Sequence, residues 1–125
     1  MTEDYLNRFG GIARLYGIAS LERFSKAHVM VIGLGGVGSW TIEALARSGV
    51  GQFTLIDLDD LCVTNTNRQI HATTETIGQS KAIVLAKRIL QINPDLRCSV
   101  EQTFYSEKNS EDLLSRAPDA IVDAI

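Results

Sequence analysis

The residues Gly33-Leu-Gly35-Gly36-Val-Gly38 match the spacing GxGxxG, between an apolar run at His28–Ile32 and a stretch of helical periodicity. Glycines in such a turn let the backbone approach an anion where a Cβ would intrude. A helix beginning near Gly36 would point its free N–H groups and positive dipole end at the same place. Asp57 lies 19 residues beyond Gly38, at the end of a second apolar run. A carboxylate there can take the two hydroxyls of a ribose. Together these residues read as a site for an adenosine nucleotide, against the alternative of a packing turn with a solvated acid. The motif does not choose between NAD and ATP.

The segment just downstream carries that choice. Asp57-Leu-Asp59-Asp60 is followed by Asn65-Thr-Asn67-Arg68-Gln69. A nicotinamide site presents a flat, largely apolar slot and has little use for such polarity. A site that breaks a triphosphate needs cations. Arg68 offers a planar fork for phosphate oxygens, and Lys81 offers a compact charge in the first turn of the helix predicted over 79–92. At that end of a helix a cation opposes the dipole, which an adjacent anion would offset. The plainer alternative has both as surface side chains paired with acids such as Asp59 or Glu75. GxxxxGK[ST] is absent, so the phosphates are not held by a P-loop.

The elements that must position these residues follow from periodicity. Residues 1–27 read as an N-terminal helical arm in two pieces, with Leu6, Phe9, Ile12, Leu15 and Tyr16, then Ile18, Leu21 and Phe24. Strands are predicted at 28–32 and 52–57, then at 97–103 and from 119 to the end. Between them come a helix with Val37, Trp40, Ala44 and Leu45 on its inner face, stopping at Gly49, a helix over 79–92, and a helix over 106–117. Residues 58–77 lack periodicity. This order predicts an α/β, Rossmann-like, doubly wound, mainly parallel sheet. The fourth strand ends with the chain and would leave one face uncovered, so the expectation is the first part of a longer protein, truncated after that strand.

Composition narrows the classes further. The chain has 125 residues, 45% apolar and 22% charged, with a formal charge of −3, which lacks the basic excess of a self-sufficient nucleic-acid-binding module. Cys62 and Cys98 stand 36 residues apart without a CxxC, so neither a disulfide framework nor a zinc site is expected, and a cytoplasmic setting is. Cys62, between Leu61 and Val63, reads as a buried thiol. His28 and His71 read as structural, Trp40, Phe53 and Phe104 as core, and Lys87 and Arg88 as a solvated helix face.

The combination GLGGVGS, LIDLDD, NxNRQ and GQSKA resembles the ATP-dependent adenylating enzymes of the ThiF/MoeB/HesA group, relatives of ubiquitin-activating enzymes. More narrowly, RFGGIARLYG at 8–17, DDLCVTNTNRQIHA at 59–72 and QINPD at 91–95 are similar to the branch that cyclises threonylcarbamoyladenosine beside the anticodon of tRNA. The resemblance implies that residues 28–125 are the first part of an ATP-binding adenylating domain. It further implies that Gly36 and Gly38 line the phosphates with Gly33 and Gly35 in the same nucleotide site, that Asp57 holds the ribose with Asp59 beside it, and that Asn65, Arg68 and Lys81 contact the phosphates. It places an arginine of the arm, Arg8 with Arg14 as alternative, in the site of a homodimeric partner. A Mg²⁺-binding aspartate would lie three residues after Asp123. The implied substrate is tRNA. The runner-up is the C-terminus of a ubiquitin-like sulfur-carrier protein, and a sulfur-transfer partner or an inactive nucleotide-binding fragment are the remaining readings.

Overall fold

The computed structural model describes all residues from Met1 to Ile125. The arm forms as two helices, α1 (Glu3–Tyr16) and α2 (Ile18–Lys26). Thr2 caps α1 by accepting from the Tyr5 N–H at 3.1 Å, and Glu3 and Asp4 in its first turn suit the positive end of the dipole. Gly17, at φ 90°, separates the two helices. The arm is docked, not free. Tyr5, Phe9 and Leu21 form a buried cluster, and the Tyr5 hydroxyl donates to the Gly49 carbonyl at 2.6 Å. Leu15, Tyr16 and Ile18, part of the arm's apolar spacing, are exposed.

Four strands, β1 (His28–Ile32), β2 (Gln52–Ile56), β3 (Arg97–Glu101) and β4 (Ala120–Asp123), form one parallel sheet in the order β3-β2-β1-β4. All five residues of β1 are buried, as a central strand covered on both faces requires. Alternation divides the core. Val29, Val31, Phe53 and Leu55 pack beneath α3 (Gly38–Arg47) and α4 (Lys81–Ile92), while Met30, Ile32 and Ile56 meet Leu113 of α5 (Ser110–Leu114) on the other side. Each large apolar side chain so buried contributes about 2 kcal/mol. His28 is buried and pairs with Thr54 at 2.8 Å, a structural role as read. On β4, Ile121 is exposed, in line with a partly uncovered edge strand.

Three expectations need correction. The buried face of α3 is Gly38, Ser39, Ile42, Glu43 and Ala46, so Trp40 and Val37 are exposed instead of core. Apolarity misled there because the face includes a buried carboxylate, Glu43, neutralised by Arg47 and by a two-bonded fork from Arg88. Arg88 is therefore not simply solvated. Phe104 is also exposed, since the helix expected over 106–117 is only Ser110–Leu114. The Asn109 side chain holds 103–109 as a loop by accepting from the Ser106 N–H and donating to the Phe104 carbonyl.

Candidate functional site

The winding of the sheet reverses between β1 and β4, which opens a crevice at the carboxyl ends of the strands. A cavity of about 360 Å³ fills it, lined by Gly33, Leu34, Gly35, Asp57, Asp59 and Lys81 together with Thr103, Phe104, Tyr105, Ala124 and Ile125. Four residues singled out for the nucleotide therefore meet in one space with Lys81: two glycines and two acids.

The glycines divide by cause. Gly33 sits at φ 90°, and a Cβ there would stand 2.7 Å from the Ala124 carbonyl oxygen. At Gly38 it would stand 1.8 Å from the Gly33 oxygen. These two are required by the fold. Gly35 and Gly36 have ordinary φ, and a Cβ would meet only side chains at 3.5 Å and 3.4 Å. No backbone atom demands glycine at those two positions, and the side chains that face them, Gln69 and Arg68, are polar and can move for a ligand. The N–H groups of Gly35, Gly36, Val37 and Gly38 donate to no acceptor in the chain. This row of free donors is the anion-facing start of α3, which begins at Gly38 and not at Gly36.

Asp57 ties the turn to the loop beyond β2. One carboxylate oxygen accepts from the Leu34 N–H and the other from the Asp59 N–H, both at 2.8 Å. A carboxylate has lone pairs left after these bonds, and the orientation they fix points it along the cavity that it lines.

Lys81 is the first residue of α4, capped by Ser80, and is only 8% exposed. It makes no ion pair, and neither does Arg68. Neither is paired with an acid, although Arg68 is an exposed side chain. The Lys81 stem is buried while its ammonium lines the cavity without a partner, open to an anion placed there. Arg68 lies with its aliphatic stem over Gly36, while its Nη1 donates to the Thr64 carbonyl and to Asn67. The structure brings Arg68 to the glycine turn but does not place it among the residues lining the cavity.

Asn65 is buried in the 3-10 helix Val63–Asn67, where its Oδ1 accepts from the Cys62 N–H at 2.8 Å and its Nδ2 donates to no group in the chain. Arg8 stands apart, paired with Asp4 and lining a different cavity with Arg47 and Arg88. Arg14 is exposed. No three His, Cys, Asp or Glu side chains converge, so these residues form no cage for Mg²⁺ on their own, and no step proposed below passes through it.

Several neighbours escaped the sequence reading. Trp40, 52% exposed, donates its indole N–H to the Arg68 carbonyl at 2.8 Å and so ties the Arg68 loop to α3. Thr103, Phe104 and Tyr105 supply a cavity wall that can receive a flat base. Cys62 is exposed, contrary to expectation, and a hydrogen bond from Thr64 lowers its thiol pKa. His71 is structural in position: burial holds its pKa down to about 4, and neither ring nitrogen has a partner.

A parallel sheet with a glycine turn, an acid at the end of its second strand and unpaired cations at its switch point has the layout of a nucleotide-binding α/β protein. The chain belongs to the ThiF family, whose profile matches residues 10–125. It is 52% identical over 98% of its length to tRNA threonylcarbamoyladenosine dehydratase of Haemophilus influenzae, and 51% identical over its whole length to that of Escherichia coli, covering 47% of each. The crystal structure of the Escherichia coli dehydratase in complex with ATP superposes with a TM-score of 0.98 at 52% identity, over 99% of this chain and 51% of that one. A sulfur carrier protein adenylyltransferase of Thermus thermophilus is 36% identical over 98% of this chain and 46% of its own. The chain spans about half the length of the curated relatives it matches. No helix is long and apolar enough to cross a membrane.

Proposed function

We propose that this chain carries the ATP site of an enzyme that adenylates the threonylcarbamoyl carboxylate of modified adenosine in tRNA and thereby drives its cyclising dehydration. The observation that supports it best is Lys81, a buried cation without an acid partner, lining the same cavity as Gly33, Gly35 and Asp57. The base would lie against Phe104 and Tyr105, the ribose on Asp57, and the phosphates at the free N–H groups of Gly35–Gly38 between Lys81 and Arg68.

The substrate carboxylate oxygen bonds to the α-phosphorus, and the bond to the β-phosphate oxygen breaks to release pyrophosphate. No side-chain nucleophile is needed, so the protein contributes alignment and charge stabilisation. Attack on the acyl carbon by a group of the same nucleoside then expels AMP, with net loss of water. Mg²⁺ would join the phosphates of the bound nucleotide. A homodimer belongs to the same proposal, supported by the exposed apolar Leu15, Tyr16 and Ile18 on the arm that carries Arg8, as does a cytoplasmic setting.

The test is pyrophosphate release from ATP with threonylcarbamoyl-modified tRNA, run beside a sulfur-carrier protein. Release with the tRNA, lost in Arg68→Ala, is expected. Near wild-type turnover of that variant refutes the assignment, and release with the carrier alone shifts the substrate to a protein C-terminus, as the sulfur-carrier relative would have it.

A further inference from the structure

A cavity of about 440 Å³ lies where the last turns of α3 and α4 face α1, lined by Arg8, Phe9, Arg47, Arg88, Gln91 and Ile92. Three guanidinium groups share two carboxylates there. Arg47 and Arg88 both bond the Glu43 side chain, at 2.8 and 2.7 Å, and Arg8 bonds Asp4 at 2.8 Å. Both Nη atoms of Arg47, Nη1 of Arg88 and Nη2 of Arg8 donate to nothing in the chain. Buried Glu43 thus fixes two forks without neutralising both, and leaves their outer donors presented together. A neighbouring cavity shares Arg88 and Gln91 and adds Lys87, with Glu75 on its other wall.

The net charge of −3 conceals this polarity. Glu43 is the sole acid of α3 and α4, against Arg47, Lys81, Lys87 and Arg88. Between 101 and 123, in contrast, six acids outnumber Lys108 and Arg116, and α5 of that segment packs on the opposite face of the sheet. The helices of one face thus carry a basic excess and the segment on the other an acidic one, a polarity that favours a polyanion on the α3–α4 side.

We propose that this arginine-lined cleft, continued by Lys87, grips the phosphodiester backbone of the RNA substrate. The inference rests on the tRNA reading above. Planar forks with free parallel donors match phosphate oxygens. An acidic protein is the competing polyanion, but the apolar floor consists of buried Phe9 and half-buried Ile92. Such a floor offers no exposed aromatic anchor of the kind that dominates protein interfaces.

The test is direct binding of a tRNA transcript across a salt series, for the wild type, Arg47→Ala, Arg47→Lys and Arg47→Ala/Lys87→Ala. Arg47 is the safe position because its removal leaves the Glu43–Arg88 fork intact. Each lost cation is expected to weaken binding about threefold to tenfold and to reduce the slope of log Kd against log salt by about one. Arg47→Lys keeps most of the slope, and ATP affinity is unchanged in all variants. Unaltered RNA affinity and slope overturn the cleft, as does a loss confined to binding of a sulfur-carrier protein. Binding is read without turnover, so RNA that binds by this cleft yet supports no pyrophosphate release overturns the proposed reaction and leaves the cleft standing.

Discussion

Lys81 shows how one side chain can require a ligand. It shares its cavity with Asp57 and Asp59 but bonds neither, so α4 holds its ammonium there without an ion pair. Lys81→Met is expected to lower pyrophosphate release by at least about 100-fold, the usual effect of removing a preorganised charge from a transition state. The melting temperature of that variant should hold, because no ion pair is lost and Met keeps an apolar stem of similar length. Calorimetry beside the turnover assay separates the two effects. At Gly36, whose added Cβ would meet only the flexible Arg68 stem at 3.4 Å, Gly36→Ala should leave the fold intact and weaken ATP binding about tenfold. Gly38→Ala should instead fail to fold stably, as circular dichroism will show. The spacing of the glycines was legible in the sequence, but which of them serve the backbone and which leave room for a ligand was not. That division depends on what lies opposite each one, a backbone carbonyl or a movable side chain.

The loop from Asp57 to Ser80 is the element on which the site turns. Its lack of periodicity was plain from the sequence, and its order comes from polar contacts that periodicity cannot register. Asn65 accepts from the Cys62 N–H, Thr76 donates to the His71 carbonyl, and Trp40 fastens the Arg68 carbonyl to α3. Helix α4 was read almost to the residue because its buried positions 82, 85 and 89 follow one apolar face. Helix α3 was misread because a buried ion pair occupies its face. The loop also holds His71, buried with its pKa lowered to about 4. The unfolded chain takes up this proton near pH 6.5 and the folded chain resists until about pH 4, so stability declines as pH falls through that window. His28, lowered in the same direction by burial, adds to the slope. His71→Leu should reduce the pH dependence of the urea midpoint between pH 6.5 and 4 by about one proton, leaving the part due to His28.

At the scale of the whole molecule, strand order fixes where the chemistry can occur, and this was the most legible feature, since alternating strands and helices allow few other arrangements. Nucleotide binding should be visible globally. Saturating ATP, at about 100 times its Kd, should add about 2.7 kcal/mol to stability, whereas NADH at the same concentration should shift the melting curve little. An equal shift with NADH would return the cavity to redox chemistry. The Gly33 contact with Ala124 has a wider consequence, since backbone meets backbone there across the switch point with no side chain to yield. The chain just after β4 and the glycine turn are therefore packed as one backbone layer, and the edge strand forms part of the seat on which the turn rests. Tolerance at position 33 is then decided by the seating of that strand before any nucleotide arrives.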